Sequence, residues 1–214
     1  MIIGYVIPVV LGFVISFVAT ALPGLLNMTA AKVSLKEGRK SAKIFAIGAA
    51  NVVFVQAYVA VTFARLISRS PELIAELQEV GVGIFAILTV YFFFFAKKKE
   101  KKKKDMELKV RSKTGNYLMG AMLSALNFFP IPFYVFVTVS FSRGRAFDFS
   151  ALNTFLFVAG IVLGAYAVFY LYIVSFRKFQ HKTEFFMRNV HYFIGSVTGI
   201  VAIITLIKIL RNQH

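Results

Sequence analysis

The sequence predicts an all-α integral membrane protein with six transmembrane helices in a three-plus-three inverted repeat, whose first and fourth helices are broken. Three observations support this prediction. Hydrophobic residues make up 58% of the 214 positions and charged residues only 16%, a balance unlike that of a soluble domain. Six apolar runs each approach the ~20 residues that a helix needs to cross hydrocarbon. Two of these runs, one in each half of the chain, contain similar proline interruptions.

The first span covers residues 2–22 and continues, past a break, as a short amphipathic segment to residue 35. No Lys or Arg precedes the run and no small-residue cleavage site ends it, so we expect a retained helix and not a cleaved signal. Pro23 lacks a backbone N–H and Gly24 weakens helical geometry, which predicts the break. In a bilayer the freed backbone groups must face protein or a water-filled cavity.

The other five spans are predicted at residues 42–67, 80–96, 117–141, 152–176 and 192–210. The fourth span contains the second interruption, which reads Asn127-Phe-Phe-Pro130-Ile-Pro132. Two interrupted membrane segments in matching positions of two halves are the best sequence indication of a transporter binding site.

Positive charge predicts the orientation and the domain limits. Nineteen of the 25 Lys and Arg residues fall in the loops after the first, third and fifth spans, which places those loops in the cytoplasm and both termini outside. The basic run Lys97–Lys104 separates a first repeat (1–96) and a linker (97–114) from a second repeat (115–214). This run is interpreted as a solvated linker or as an attachment to anionic lipid. The net charge of +16 therefore indicates membrane topology, and we expect no nucleic-acid partner.

The sequence that follows each of the two prolines indicates an internal repeat. When Pro23 is aligned with Pro130, the segment Ser34-Leu-Lys-Glu-Gly38-Arg39 matches Ser140-Phe-Ser-Arg-Gly144-Arg145 with a shift of one residue, since Gly38 follows Pro23 by 15 residues and Gly144 follows Pro130 by 14. The two glycines are expected in tight turns. Because each repeat has an odd number of spans, the second copy inserts upside down relative to the first, which is the geometric basis of alternating access.

The same residues resemble a known family. The stretch Pro23-Gly24 through Asn27, with Gly38-Arg39 downstream, resembles the first-helix signature of the LysE/RhtB amino-acid exporter family, whose core is Pro-Gly-Pro-Asn/Asp. The segment Gly120 to Asn127 is similar to its fourth-helix motif, although Phe128-Phe129 replaces the Pro-Lys that normally follows. Leu25 and Leu26 also depart from the signature. The resemblance implies export of small solutes, commonly amino acids.

The spans offer neutral polar groups in place of charges. No Asp or Glu falls in the middle of a span, so neither a carboxylate proton relay nor a metal site is expected, and no cofactor is implied. The candidate substrate-binding residues are Pro23, Gly24, Asn27, Asn51, Asn127 and Pro130. Interhelical hydrogen bonding is the alternative role of the asparagines. The half-helix that starts after Gly24 presents unpaired N–H groups and a positive dipole end, which suit a substrate carboxylate.

His191 is a further candidate, for proton coupling, because its ordinary pKa lies near neutrality. An interfacial position beside Arg188 is its alternative interpretation. The spans hold no catalytic residues, since no nucleophile stands with an acid–base partner, and an enzyme is not expected.

The sequence thus favours a plasma-membrane (inner-membrane) secondary transporter that exports amino acids or related zwitterions. An ion exporter or channel on the same scaffold, and a membrane scaffold protein without transport, are the alternatives. The expected partners are a small-molecule substrate and the lipid bilayer, and homo-oligomerisation is left open.

Overall fold

The computed structural model describes residues 2–70, 82–83, 86–87, 89–91, 94, 111–143 and 148–212. Regular structure in these segments is helical throughout and contains no strand. The longer helices are α1 (Ile2–Thr20), α2 (Leu25–Ser68), α3 (Lys113–Ala125), α4 (Pro130–Arg143) and α5 (Ala151–Asn212). The described residues of the predicted third span, between 82 and 94, are also helical.

Contacts divide the chain into two units. The first unit contains Met1–Ser68 and Glu107–Phe179, and the second contains Arg69–Met106 and Gln180–His214. Each unit therefore takes a segment from both halves of the sequence. The first unit combines the predicted first, second, fourth and fifth spans, and the second unit combines the predicted third and sixth.

The first predicted break is present between α1 and α2. Helix α1 ends at Thr20 and α2 begins at Leu25. Pro23 accounts for the end of α1, because proline cannot donate to the helix and disfavours helical geometry in the residue before it. Helix α2 then contains its own kink at Gly38, where φ is 87° and ψ is 163°. Residues that carry a Cβ rarely adopt this backbone conformation, which explains why glycine occupies the position. The predicted turn at this glycine is confirmed.

The second predicted break separates α3 from α4. The Ser112 hydroxyl accepts a hydrogen bond from the Gly115 N–H at 3.1 Å and caps the start of α3. Four residues, 126–129, follow the end of α3, and the segments Lys113–Ala125 and Pro130–Phe141 are bent by 60° relative to each other. Pro130 occupies the first helical position of α4, where its fixed φ is compatible with a helix.

Helix α5 differs from the prediction. The predicted fifth span (152–176) and sixth span (192–210) belong to one helical element, and residues 177–191, expected as a cytoplasmic loop, are helical. The physical reason is local, because no proline or glycine interrupts residues 176–191. The charges of this stretch suggested a loop, but charge alone does not end a helix.

The described residues contain two helices long and apolar enough to cross a membrane, Leu25–Ser68 and Ala151–Ser175. A third is counted when α3 and α4 are taken as one bent span. The apolar part of α1, Tyr5–Thr20, is shorter. The predicted six-span arrangement is thus represented only in part by the described helices.

Small residues let the helices of the first unit approach closely. Gly12 of α1 packs against the backbone of Phe157 and Ile161 in α5, where an added Cβ would meet the Phe157 carbonyl oxygen. In return, a Cβ on Gly160 of α5 would meet the carbonyl oxygen of Val9. Such contacts between backbones are typical of glycine at membrane helix interfaces.

Helices α2 and α3 repeat this contact. Gly120 of α3 packs against the backbone of Phe45 and Ala49, and Gly48 of α2 packs against the carbonyl of Tyr117. The spacing is the same as in the α1–α5 pair. In both pairs, each glycine contacts a carbonyl on the partner helix, and that carbonyl belongs to the residue three positions before the partner's own glycine. One contact motif thus occurs twice, between the first and fifth predicted spans and between the fourth and second.

The core of the first unit lies around α2. Helix α2 packs against both α3 and α4. Its buried face is rich in alanine and glycine, which permits these close approaches. Larger apolar side chains complete the core, namely Phe45, Val53, Tyr134, Phe157, Ile161 and Phe169.

Candidate functional site

The first break is held together by Asn27. This residue is 3% exposed, and its amide nitrogen donates to the carbonyl oxygens of Thr20 at 2.7 Å and Leu22 at 2.8 Å. The first carbonyl ends α1 and the second lies in the connection to α2, and neither has a helical partner across the break. Pro23 and Gly24 lie half-buried between them and α2. The predicted proximity of Asn27 to the break is therefore accompanied by a structural role for its amide nitrogen.

The start of α2 leaves backbone donors unpaired. The N–H groups of Leu25, Leu26 and Asn27 have no hydrogen-bond partner in the described part of the chain, and the next one, of Met28, donates to the Gly24 carbonyl at 3.0 Å. Because the dipole of α2 also places positive potential at this end, the first break favours an anionic group.

The second break is held by a residue of another helix. The Gln56 amide nitrogen donates to the carbonyl oxygens of Ser124 at 3.1 Å and Asn127 at 2.8 Å. Gln56 is 6% exposed and lies on α2. The Asn127 side chain is exposed, and the structure shows no hydrogen bond from it. Sequence reasoning emphasised the Asn127 side chain, whereas its backbone carbonyl makes the contact.

The start of α4 presents no comparable donors. Pro130 and Pro132 have no N–H, and the N–H groups of Ile131 and Phe133 donate to the carbonyls of Phe128 and Phe129 at 3.2 and 3.3 Å. The starts of the two half-helices therefore differ chemically, since α2 begins with unpaired backbone N–H groups and α4 does not. At the second break, the N–H groups without a partner among the described residues belong to Phe128 and Phe129, which precede α4.

Two tyrosines connect other helices to the first break. The Tyr134 hydroxyl of α4 donates to the buried Ser16 hydroxyl of α1 at 3.0 Å. The Tyr172 hydroxyl of α5 donates to the carbonyl oxygen of Ala21 at 3.0 Å. Neither pair was predicted, because each joins residues more than a hundred positions apart.

Several buried polar atoms near these contacts have no hydrogen-bond partner within the described residues. In the helices that form the breaks, they are Asn27 Oδ1, Glu37 Oε1, Gln56 Oε1 and Ser68 Oγ in α2, Asn116 Oδ1 and Ser124 Oγ in α3, and Thr138 Oγ1 in α4. Buried polar groups are normally paired, so a set of unpaired acceptors requires an explanation.

The other candidates from the sequence lie elsewhere. The Asn51 side chain is exposed and its amide nitrogen donates to the Tyr117 hydroxyl at 2.9 Å, which joins α2 to α3. His191 falls within α5, but its side chain lies outside the described ones. Gly144 and the run 97–104 lie outside the described residues.

A carboxylate at the Gly38 kink was not among the candidates. The Glu37 Oε2 atom accepts hydrogen bonds from the Asn116 amide nitrogen at 2.7 Å and from the Arg111 N–H at 3.4 Å. Glu37 thereby ties the kink of α2 to the start of α3. Among the described residues, no three His, Cys, Asp or Glu side chains are grouped as metal ligands would be.

Comparison with known protein families identifies a match over most of the chain. The family model described as LysE type translocator matches residues 17–208, which include both breaks, the whole of α2, α3 and α4, and α5 as far as residue 208. No curated protein and no solved structure matches the chain.

Proposed function

Because the chain belongs to the LysE type translocator family, we propose that it is a secondary transporter that exports amino acids or related small zwitterionic solutes by alternating access. Family membership places the chain among membrane transport proteins, and the substrate class and the mechanism are our proposal. The observation that carries the substrate class is the first break, which combines unpaired backbone donors with a buried side-chain acceptor.

The first break is the proposed binding site for a substrate carboxylate. An unpaired N–H in hydrocarbon is costly, and an anion bound to the N–H groups of Leu25, Leu26 and Asn27 removes that cost. The dipole of α2 adds to the attraction. Pro23 and Gly24 contribute by ending α1 and exposing these donors. No Arg or Lys side chain is needed, which suits a substrate whose own amino group balances its charge.

The second break has a different role in the proposal. Pro130 and Pro132 leave no unpaired N–H group in the first turn of α4, so the start of this helix favours an anion less than the start of α2 does. The exposed side-chain amide of Asn127 is retained as a substrate contact, because it makes no hydrogen bond in the described part of the chain. We leave Asn51 out of the proposed site, since its amide is bonded to Tyr117.

The twofold occurrence of the glycine contact supports a repeat mechanism. A contact between spans one and five that recurs between spans four and two is the pattern that two equivalent copies produce. An inverted repeat has two pseudo-equivalent arrangements, one open to each side of the membrane. The six-span layout, the inner-membrane location and the outward termini belong to the same proposal, as does attachment of Lys97–Lys104 to anionic lipid.

Efflux from proteoliposomes loaded with a panel of amino acids tests this function. We expect the wild-type protein to release at least one amino acid faster than protein-free vesicles. Rates equal to those of protein-free vesicles for the whole panel would contradict the proposal.

The Leu25→Pro variant tests the carboxylate site. Proline is tolerated at the first position of a helix but removes one of the three unpaired N–H groups. Loss of one hydrogen bond to a charged group predicts about tenfold weaker apparent substrate affinity. Lys113→Pro is the matched control, because it places proline at the first position of α3, away from both breaks. Equal affinities in the two variants would exclude the carboxylate site.

A further inference from the structure

The two side-chain amides that hold the breaks each leave their oxygen unpaired. The amide nitrogens of Asn27 and Gln56 both donate to two backbone carbonyl oxygens at the end of a half-helix. This fixes the orientation of each amide, because a flipped amide would place its oxygen against two other acceptors. Asn27 Oδ1 and Gln56 Oε1 therefore face away from those carbonyls, and neither has a partner.

A third unpaired oxygen belongs to Ser124, whose backbone carbonyl receives the Gln56 amide. Ser124 is 1% exposed. It has a counterpart in α1, because Ser124 follows the packing glycine Gly120 by four residues and Ser16 follows Gly12 by four. The two serines nevertheless differ, since the Ser16 hydroxyl is paired with Tyr134 and the Ser124 hydroxyl is not.

The residues opposite the two serines are also related by the repeat. Tyr134 lies four residues after Pro130, and Asn27 lies four residues after Pro23. The repeat thus relates the bonded pair Tyr134–Ser16 to the pair Asn27–Ser124, in which both oxygens are unpaired. Asparagine is shorter than tyrosine by the length of the ring, so the repeat relation predicts a gap between the two oxygens of the second pair that a hydrogen-bonding group could fill.

We propose that Asn27 Oδ1, Ser124 Oγ and Gln56 Oε1 form a subsite for the protonated amino group of the exported solute. An ammonium group has three donors and no acceptor, which matches three unpaired oxygens. Two of these oxygens belong to amides and can only accept, so an anion is disfavoured. The subsite rests on the proposed function, since it binds the second charge of the zwitterion whose carboxylate binds the N–H groups of α2.

Ser124→Ala and Ser16→Ala test the subsite as a matched pair. The Ser124 hydroxyl has no partner in the described structure, so its removal is expected to leave thermal stability unchanged and to weaken amine binding about tenfold. Removal of the Ser16 hydroxyl leaves Tyr134 unpaired, so Ser16→Ala is expected to lower thermal stability and to leave amine affinity unchanged. If both serines had only a structural role, both variants would lower thermal stability and neither would selectively weaken amine binding.

Thermal unfolding of the purified protein with defined probes identifies the recognised group. The probes are the protein amino acids, then the amine without the carboxyl group and the acid without the amino group of the most stabilising amino acid, and NaCl and KCl alone. Ser124→Ala should lose protection by the amino acid and the amine but keep protection by the acid.

Other outcomes overturn the subsite. Equal protection of wild type and Ser124→Ala by the amine, with wild-type efflux intact, contradicts the subsite and leaves the transport function standing. Protection by NaCl or KCl that Ser124→Ala loses, without protection by the amine, assigns the oxygens to a metal cation. Absence of both efflux and protection contradicts the transport function and the subsite together.

Discussion

Asn27 and Gln56 show how one side-chain amide can both stabilise a broken helix and retain a binding group. Their nitrogens satisfy carbonyls that the breaks release, and their oxygens remain unpaired in the core. The sequence predicted that Asn27 lies beside a break, because it follows Pro23 closely. It did not predict the contact of Gln56, because that contact depends on how α2 packs against α3.

The Gly38 kink gives a prediction at a single residue. Gly38→Ala is expected to destabilise the protein by about 1–3 kcal/mol, because a φ of 87° is strained for a residue with a Cβ. An added Cβ meets no atom within 4 Å, so the loss would come from the backbone conformation alone. Thermal or denaturant unfolding in detergent measures the effect.

Gly83→Ala is the matched control for the kink. Gly83 is helical, and an added Cβ also meets open space. Alanine favours a helix over glycine by about 1 kcal/mol, so this variant should be equally stable or more stable than wild type. A Gly38→Ala protein as stable as Gly83→Ala would show that the kink is not required.

At the scale of helices, the sequence predicted both breaks and the Gly38 turn, because proline and glycine act through local backbone geometry. It did not predict that α5 continues through residues 177–191, where charge had suggested a loop. The sequence does contain a signal for the glycine contacts. Both Gly12-Phe-Val-Ile-Ser16 and Gly120-Ala-Met-Leu-Ser124 place two small residues four apart, the spacing of close membrane helix contacts.

The contact between α2 and α3 predicts sensitivity to a single methyl group. Gly120→Ala would place a Cβ against the Phe45 carbonyl oxygen, and the helices would have to separate. We expect a loss of about 1–3 kcal/mol in unfolding free energy, as for other overpacked cores. Leu118→Ala on the exposed side of α3 is the control and should change stability little. Equal stability of the two variants would contradict the close contact.

The segment before α5 predicts a dependence on pH. Hydrogen bonds from Ser150, through its side chain and its backbone N–H, and then from Asn153 lower the pKa of the Asp148 carboxyl below its usual 3.8. A lowered pKa in the folded state stabilises the fold above the usual value, and this stabilisation is lost as the pH falls through the folded pKa. The effect is expected to be small, because Asp148 is exposed.

Unfolding temperatures between about pH 5 and about pH 3 measure this effect, since that window spans the usual carboxyl pKa. The wild-type value should fall more than that of Asp148→Asn, which has no charge to lose. Parallel curves for the two proteins would show that these hydrogen bonds do not favour the carboxylate.

For the whole molecule, the internal repeat was predicted from the prolines and glycines that follow each other in both halves. The sequence did not predict which spans pack against each other, because that depends on contacts between the two halves of the chain. The first unit joins predicted spans one, two, four and five, and the second joins three and six, so corresponding segments of both halves share a unit. The sequence pattern also did not predict the chemical differences between the two breaks, because these depend on which backbone N–H groups are hydrogen-bonded in the folded chain.

The proposed topology predicts where the ends of the chain are accessible. The protein contains no cysteine, so single cysteines replacing Ile3 and Asn212 report each terminus separately. In intact cells, a membrane-impermeant maleimide should label both sites, because both termini are proposed to face outward. A cysteine at Lys102 is the control and should react only after the membrane is opened. Labelling of only one terminus in intact cells would exclude an even number of spans.

The reciprocal glycine contacts also bear on the order in which the chain can mature during synthesis. Gly12 meets its partner around Phe157, and Gly48 meets its partner around Tyr117, so neither surface of the amino-terminal half is covered by that half. A ribosome delivers the later segments only after the earlier ones have entered the membrane. The glycine surfaces of the nascent amino-terminal half therefore stay uncovered until the later helices are inserted. During that interval they are accessible to insertion chaperones or to a second copy of the same half.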